Sequence, residues 1–220
     1  MKRALVVLLM MAGPAAAEIP KAVVVLETRG TPLPGEVPEA APPRFVLLED
    51  GQVYVGGTRD LVTARLAGRD LKDLERRIAE VRKLPAIAGV ITVGPGNDVR
   101  RLFLGKGRPL DMRIEGDLHA ATPALKPLAD LVLDLERFHT PALRPYAPAQ
   151  LALRAEEGSL PGGCRPWNRP EPIEGSVFAP QAVNAADFAA WPTGAVAASV
   201  CAGDKKYIVT LRPLLPGEKP

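Results

Sequence analysis

The chain has 220 residues, with 28 Lys or Arg against 25 Asp or Glu and a formal net charge of +3. Residues 1–17 hold Lys2 and Arg3 and no acid, so without them 26 cations face 25 acids. A near-neutral chain with no basic run lacks the electrostatic footprint of a nucleic-acid binder, and 47% apolar with 24% charged residues is a globular rather than a disordered composition.

Lys2 and Arg3, the apolar run Ala4–Ala12, the break at Gly13-Pro14 and the small residues Ala15-Ala16-Ala17 are the parts of an export signal. The run is shorter than the ~20 residues that span a bilayer as a helix. A cleaved leader over 1–17 is therefore expected in preference to a retained anchor, with the mature chain starting near Glu18. No Cys follows the run to take a lipid, and no later stretch has the length of a transmembrane segment.

Ala22–Glu27 is rich in β-branched residues and reads as a strand. Residues 31–44 (TPLPGEVPEAAPPR) hold five prolines and predict a loop. Phe45–Glu49 and Val53–Gly57 flank Asp50-Gly51, a hairpin signal, because the tight turn needs a positive φ that Gly tolerates. Val62–Leu66 adds a strand. Over Asp70–Lys83, Leu71, Leu74, Ile78 and Val81 recur at helical spacing, with Asp73/Arg77 and Arg76/Glu80 as i,i+4 pairs on the wet side. Pro85 stops that helix.

Val90–Val93 then reads as a strand, and Val99–Leu104 with Leu110–Glu115 as a hairpin around Gly105-Lys106-Gly107. Leu128, Leu131, Val132, Leu135 and Phe138 form the stripe of a second helix that starts at Pro127, a residue suited to the first helical position. Residues 22–84 and 90–138 share an order of strands, hairpin and helix, so a duplicated unit and convergent layering both stand. Residues 141–148 (PALRPYAP) read as a linker. Beyond them come a strand over Leu151–Arg154, an irregular stretch from 158 to 172 and a short helical turn over Asn184–Ala190. A last hairpin, Ala195–Ala202 with Lys205–Arg212, closes around Gly203-Asp204.

Cys164 and Cys201 are the only cysteines. In an oxidising compartment such a pair forms a disulfide; the alternative is a thiol nucleophile with a distant His, for which no local signature is present. Glu115, Asp117 and His119 would share one face of an alternating strand and offer a metal site, against the alternative of a solvated strand edge. His139 at a helix C-terminus suits the helix dipole. Gly94-Pro95-Gly96 lacks the third glycine and the following helix of a dinucleotide fingerprint, and Gly105-Lys106-Gly107 lacks the Ser/Thr of a phosphate loop. The sequence calls for no catalytic residue, no cofactor and no metal. Trp167 and Arg169 in the run Pro166–Pro170, with Trp191 before Pro192, are the candidate partner-binding residues. Core packing is the alternative for each Trp.

Phe45–Val55 (FVLLEDGQVYV), Thr63–Leu66 before a charged helix, Tyr146-Ala147-Pro148, Trp191-Pro192, Cys201 and Tyr207–Glu218 (YIVTLRPLLPGE) together resemble uncharacterised exported proteins and lipoproteins of bacteria. The resemblance covers most of the mature chain and implies no activity or site residues. This sequence departs from the lipoprotein members in lacking a lipid-attachment Cys.

The expected fold is α+β: antiparallel β-hairpins packed with two amphipathic helices, then a proline-rich, disulfide-tied C-terminal part. Residues 1–17 form the leader, 18–140 an α+β domain of two strand-hairpin-helix units, and 141–220 a proline-rich β-hairpin region packed on it. The expected function is an exported, periplasmic or secreted, non-catalytic envelope protein that binds a protein or ligand. Two alternatives are a secreted hydrolase with acidic catalytic residues and an inhibitor of an extracellular enzyme, presenting a stiff loop at 31–44 or 161–172.

Overall fold

The computed structural model describes residues 21–29, 37, 41–57, 61–85, 87–169 and 172–220. The predicted leader at 1–17, and residues 31–36 and 38–40 of the proline-rich segment, lie outside them. Among the described residues the protein is α+β, built on two mixed sheets with three α-helices.

The first sheet grows from strand β1 (Ala22–Arg29), which pairs antiparallel with β2 (Phe45–Leu48) on one side and β6 (Val99–Leu104) on the other. β2, β3 (Gln52–Val55) and β4 (Val62–Arg65) follow as antiparallel neighbours. Asp50-Gly51 makes the turn between β2 and β3. Gly51 sits at φ +83°, and the Asp50 carboxylate accepts the Gln52 N–H at 3.0 Å. β7 (Leu110–Glu115) pairs antiparallel with β6, and β5 (Gly89–Thr92) runs parallel to β7 at the sheet edge. The full order is β5-β7-β6-β1-β2-β3-β4-β8, with β8 the two-residue strand Arg144–Pro145.

This order corrects two expectations. The sheet is not made of antiparallel hairpins alone, because β5 returns from a helix and docks outside β7. Residues 141–148 are not a free linker either. Arg144 and Pro145 pair with β4, and the Tyr146 N–H continues the ladder to the Leu61 carbonyl at 2.9 Å. The two strand-hairpin-helix units also connect their strands differently, one as consecutive neighbours and one with its first strand outermost.

Helices α1 (Gly68–Val81) and α2 (Lys126–Glu136) cover one face of this sheet. Ile78 and Val81 of α1 and Leu128, Leu131, Val132 and Leu135 of α2 are buried against Leu26, Phe45, Leu47, Leu102, Leu104, Met112 and Ile114. Burying one such side chain contributes about 1.5–3 kcal/mol, which is why the one-sided stripes fix the helices on the sheet. Arg76 pairs with Glu80 at 2.7 Å as its spacing implies. Asp73 and Arg77 do not pair. Arg77 turns to Asp134 and bridges the helices, while Asp73 faces Arg69 at 3.7 Å and Arg76 at 4.0 Å.

The second sheet has the order β10-β12-β13-β9-β11, where β9 is Gln150–Glu157, β10 Arg165–Pro166, β11 Gln181–Asn184, β12 Ala198–Ala202 and β13 Lys205–Pro213. β10 runs parallel to β12; the other pairs are antiparallel. A one-turn helix, α3 (Gly175–Phe178), precedes β11. Leu151, Leu153, Val200, Tyr207, Val209 and Leu211 form the centre of this second core. The two halves meet on the helix-free face of the first sheet. There Val46, Leu48, Tyr54 and Leu61 pack with Tyr146 and Leu215, and the Tyr146 hydroxyl donates to the Leu214 carbonyl at 3.1 Å.

Candidate functional site: an aromatic cleft between the sheets

The seam between the two sheets holds a cleft of about 580 Å³. Val62 and Tyr146 come to it from the edge of the first sheet, and Leu151 and Pro213 from adjacent strands of the second. Phe188 and Trp191 close it from the segment after β11. Among the described residues, none that lines it carries a charge.

The ring positions follow from local geometry. Asn184 ends β11, and its side-chain oxygen accepts the Ala186 N–H at 3.1 Å, starting a 3-10 turn over Ala185–Phe188. The Trp191 N–H then bonds the Phe188 carbonyl at 2.9 Å. Residues three apart in such tight turns stand on the same side. Phe188 and Trp191 therefore meet, with ring centres 5.6 Å apart and edge-to-face.

Trp167 reaches the pair from the far edge of the second sheet. Cys164 bonds Cys201 with their Cα atoms 5.6 Å apart, tying β10 to β12, and the Trp167 N–H bonds the Cys201 carbonyl at 2.7 Å. The Trp167 ring is 5.9 Å from Trp191 and 6.2 Å from Phe188. Two guanidinium groups lie on this cluster: Arg165 over Trp191 at 4.7 Å and Arg169 over Phe188 at 4.9 Å. Such contacts contribute about 0.5–1 kcal/mol when exposed.

Trp167, Arg169 and Trp191, singled out in the sequence, thus sit in one cluster. Both indoles are half-buried and packed against the second core, so packing and accessibility coexist in them. Sequence reasoning missed Phe188, Tyr146 and Arg165. The spacing Phe188-x-x-Trp191 and the position of Arg165 next to Cys164 are the signals that could have found them.

Elsewhere the shared strand face weighed for Glu115, Asp117 and His119 does not form. β7 ends at Glu115, and Gly116 at φ +99° turns the chain, because a Cβ there would run into the Gly94 carbonyl. Glu115 pairs with Arg113 at 2.7 Å, and the Asp117 carboxylate caps a 3-10 turn by accepting the His119 N–H at 2.9 Å. Among the described residues, no group of three His, Cys, Asp or Glu is placed to hold a metal.

Two further depressions carry charge. One, of about 300 Å³, lies on the open face of β1, β6 and β7. Arg101 holds Asp111 there through two hydrogen bonds of 2.9 and 2.6 Å. These bonds keep the Asp111 carboxyl below the usual carboxylate range and raise Arg101. The other, of about 380 Å³, lies between α1 and α2 beside the Arg77–Asp134 pair and His139. In each, one ion pair spans the wall, Arg101 with Asp111 and Arg77 with Asp134.

The fold and the cleft together define a two-sheet α+β protein with a ring-lined seam and a disulfide within its second sheet. Comparison with family models, with curated proteins and with solved structures found no match.

Proposed function

We propose that this chain is an exported, non-catalytic envelope protein whose ligand or partner seats in the cleft between the sheets. The observation that carries this reading is the lining. Tyr146, Phe188 and Trp191 face a space of about 580 Å³ with no charged side chain among the described residues of its wall. Sites for small ligands are concave, largely apolar and of this size, with a few polar groups at the margin. Export is supported by the leader pattern of residues 1–17 and by the Cys164–Cys201 disulfide, a bond that persists in oxidising compartments. Among the described residues, no helix is long and apolar enough to cross a membrane. The prolines around the cleft, Pro145, Pro148 and Pro213, give its wall fixed backbone angles that lose little entropy when a ligand binds.

A neutral fluorescent probe, N-phenylnaphthylamine, tests the reading directly. Its emission rises on binding to the folded chain, and Trp191→Ala or Phe188→Ala weakens binding at least about tenfold, as expected for loss of an aromatic anchor. Acrylamide quenching of Trp191 in a Trp167→Phe background falls when the probe is bound. No probe binding to the folded chain, or strong shielding of both indoles without ligand, would end this reading.

A further inference from the structure

Phe188 and Trp191 each do two things: they wall the cleft, and they carry an arginine on a ring face. Stacking occupies the flat face of a guanidinium and leaves its N–H donors pointing outward in the plane, free for a carboxylate, phosphate or sulfonate. Arg165 is exposed, and no described carboxylate lies within ion-pair distance of it. Arg169 donates to one neutral group, the Asp187 carbonyl, and its buried Nε finds no acceptor. By contrast Arg76, Arg77, Arg100, Arg101, Arg113 and Arg212 each face a carboxylate. Arg44 and Arg82 also donate to carbonyls rather than carboxylates, but among the described residues Arg169 is the one arginine with a buried donor left without an acceptor. A buried cationic donor without an acceptor is unfavourable, and a bound anion removes that penalty.

We infer that the cleft takes a small amphipathic anion, with an apolar, ring-bearing body against Tyr146, Phe188 and Trp191 and one acidic head held by Arg165 and Arg169. The inference rests on the cleft being a binding site and adds the charge of what it binds. The two guanidiniums do not line the cleft; they lie on the Trp191 and Phe188 rings that wall it, so the apolar body fills the seam and the acidic head lies at the margin beyond those rings. The occupant is a free small molecule, since about 580 Å³ matches one drug-sized body.

Two probes with nearly the same rings separate the claims: neutral N-phenylnaphthylamine and anionic anilinonaphthalene sulfonate, each titrated into the full, disulfide-bonded chain. The sulfonate is expected to bind at least about tenfold more tightly, the effect of one charge-assisted hydrogen bond. Its advantage shrinks between about 20 mM and about 500 mM salt, while the neutral probe is unmoved. Arg165→Gln with Arg169→Gln abolishes the advantage, weakening the sulfonate at least about tenfold more than the neutral probe. Equal, salt-insensitive binding of both probes overturns the anionic ligand and spares the cleft. A sulfonate preference that survives the double substitution overturns the assignment to these arginines. Binding of neither probe overturns cleft and ligand together. If the double variant does not fold, Arg165→Gln alone, at the exposed member of the pair, tests the assignment: it cuts the advantage several-fold, and an undiminished advantage overturns it.

Discussion

Arg100 reaches from β6 to the last residue of α2, placing its Nε 2.5 Å from the Glu136 carboxylate. Their side chains are 12% and 20% exposed, and the main-chain carbonyl of the same Glu136 accepts from Arg44 at 2.7 Å. One residue thus fastens the end of α2 to β6 and to the residue that leads into β2. Removing one partner of a mostly buried pair leaves the other charge stranded. Glu136→Ala is expected to cost about 2 kcal/mol in urea unfolding, less than a fully buried pair because some solvent reaches it. The joint replacement Arg100→Met with Glu136→Leu is expected to lose less than Glu136→Ala alone. A loss at least as large would show that the ion pair itself, and not the orphaned charge, carries the stability.

Tyr54 and Tyr146 meet edge-to-face at 5.1 Å in the seam. Burial pushes both phenols above their ordinary value, with Asp50 adding to the rise at Tyr54, and Tyr54 and Glu218 adding to it at Tyr146. A folded pKa raised above the unfolded one stabilises fully below the unfolded value of about 10 and is lost as pH climbs through the folded values. Stability should therefore fall on the alkaline side, and Tyr146→Phe should flatten that fall. The same variant loses the bond to Leu214, worth about 1 kcal/mol at neutral pH. Phenolate absorbance titration of the folded protein is the measurement; two phenols ionising at the ordinary value would contradict the expectation.

Asp111 has the opposite sign. The hydrogen bonds from Arg101 depress its folded pKa, so its contribution is complete above the unfolded value of about 3.9 and disappears as pH falls through the lower folded value. Both groups are about half exposed, which limits the pair to about 0.5 kcal/mol. Carboxyl NMR should show a low midpoint for Asp111 that returns to the ordinary range in Arg101→Gln. An unchanged midpoint in that variant would rule out Arg101 as the cause.

The disulfide closes a 37-residue separation, for which chain entropy gives about 3–4 kcal/mol. Cys164 also stands next to Arg165 and three residues before Trp167. A dithiol reductant, itself oxidised as the two sulfurs take up hydrogen, should lower the unfolding midpoint. It should also make the tryptophans more open to acrylamide as β10 leaves β12. Unaltered quenching in the reduced, folded chain would mean that the ladder alone holds the ring cluster.

Local signals were legible in the sequence because they need no distant partner. Asp50-Gly51 carries its turn chemistry in two residues, and the stripe Leu128, Leu131, Val132, Leu135 names its own buried face. Two-residue strands such as β8 and β10 have no periodicity to read. Their pairing is decided by β4 and β12, far along the chain. Arg77 shows the same limit: its spacing from Asp73 suits a pair within α1, yet α2 brings Asp134 closer to its charged end.

The candidate site divides along the same line. Trp167, Arg169 and Trp191 stand out by residue type alone. The cleft they adjoin does not, because Tyr146, Phe188 and Leu151 come from three separate segments that only the packing of sheet on sheet assembles. The half-burial of each indole likewise depends on neighbours that composition does not name.

β1 is the earliest strand of its sheet and lies at its middle, with β6 starting about 70 residues after β1 ends. A chain emerging from a ribosome or an export pore therefore offers Ala22–Leu26 long before that flank can be covered. β2 shields one edge early; the other stays open, apolar and β-branched, the kind of edge that recruits strands from other molecules. Crowded refolding should cost this protein yield before it costs it stability, and a holdase that occupies the vacant edge until β6 arrives would recover the loss.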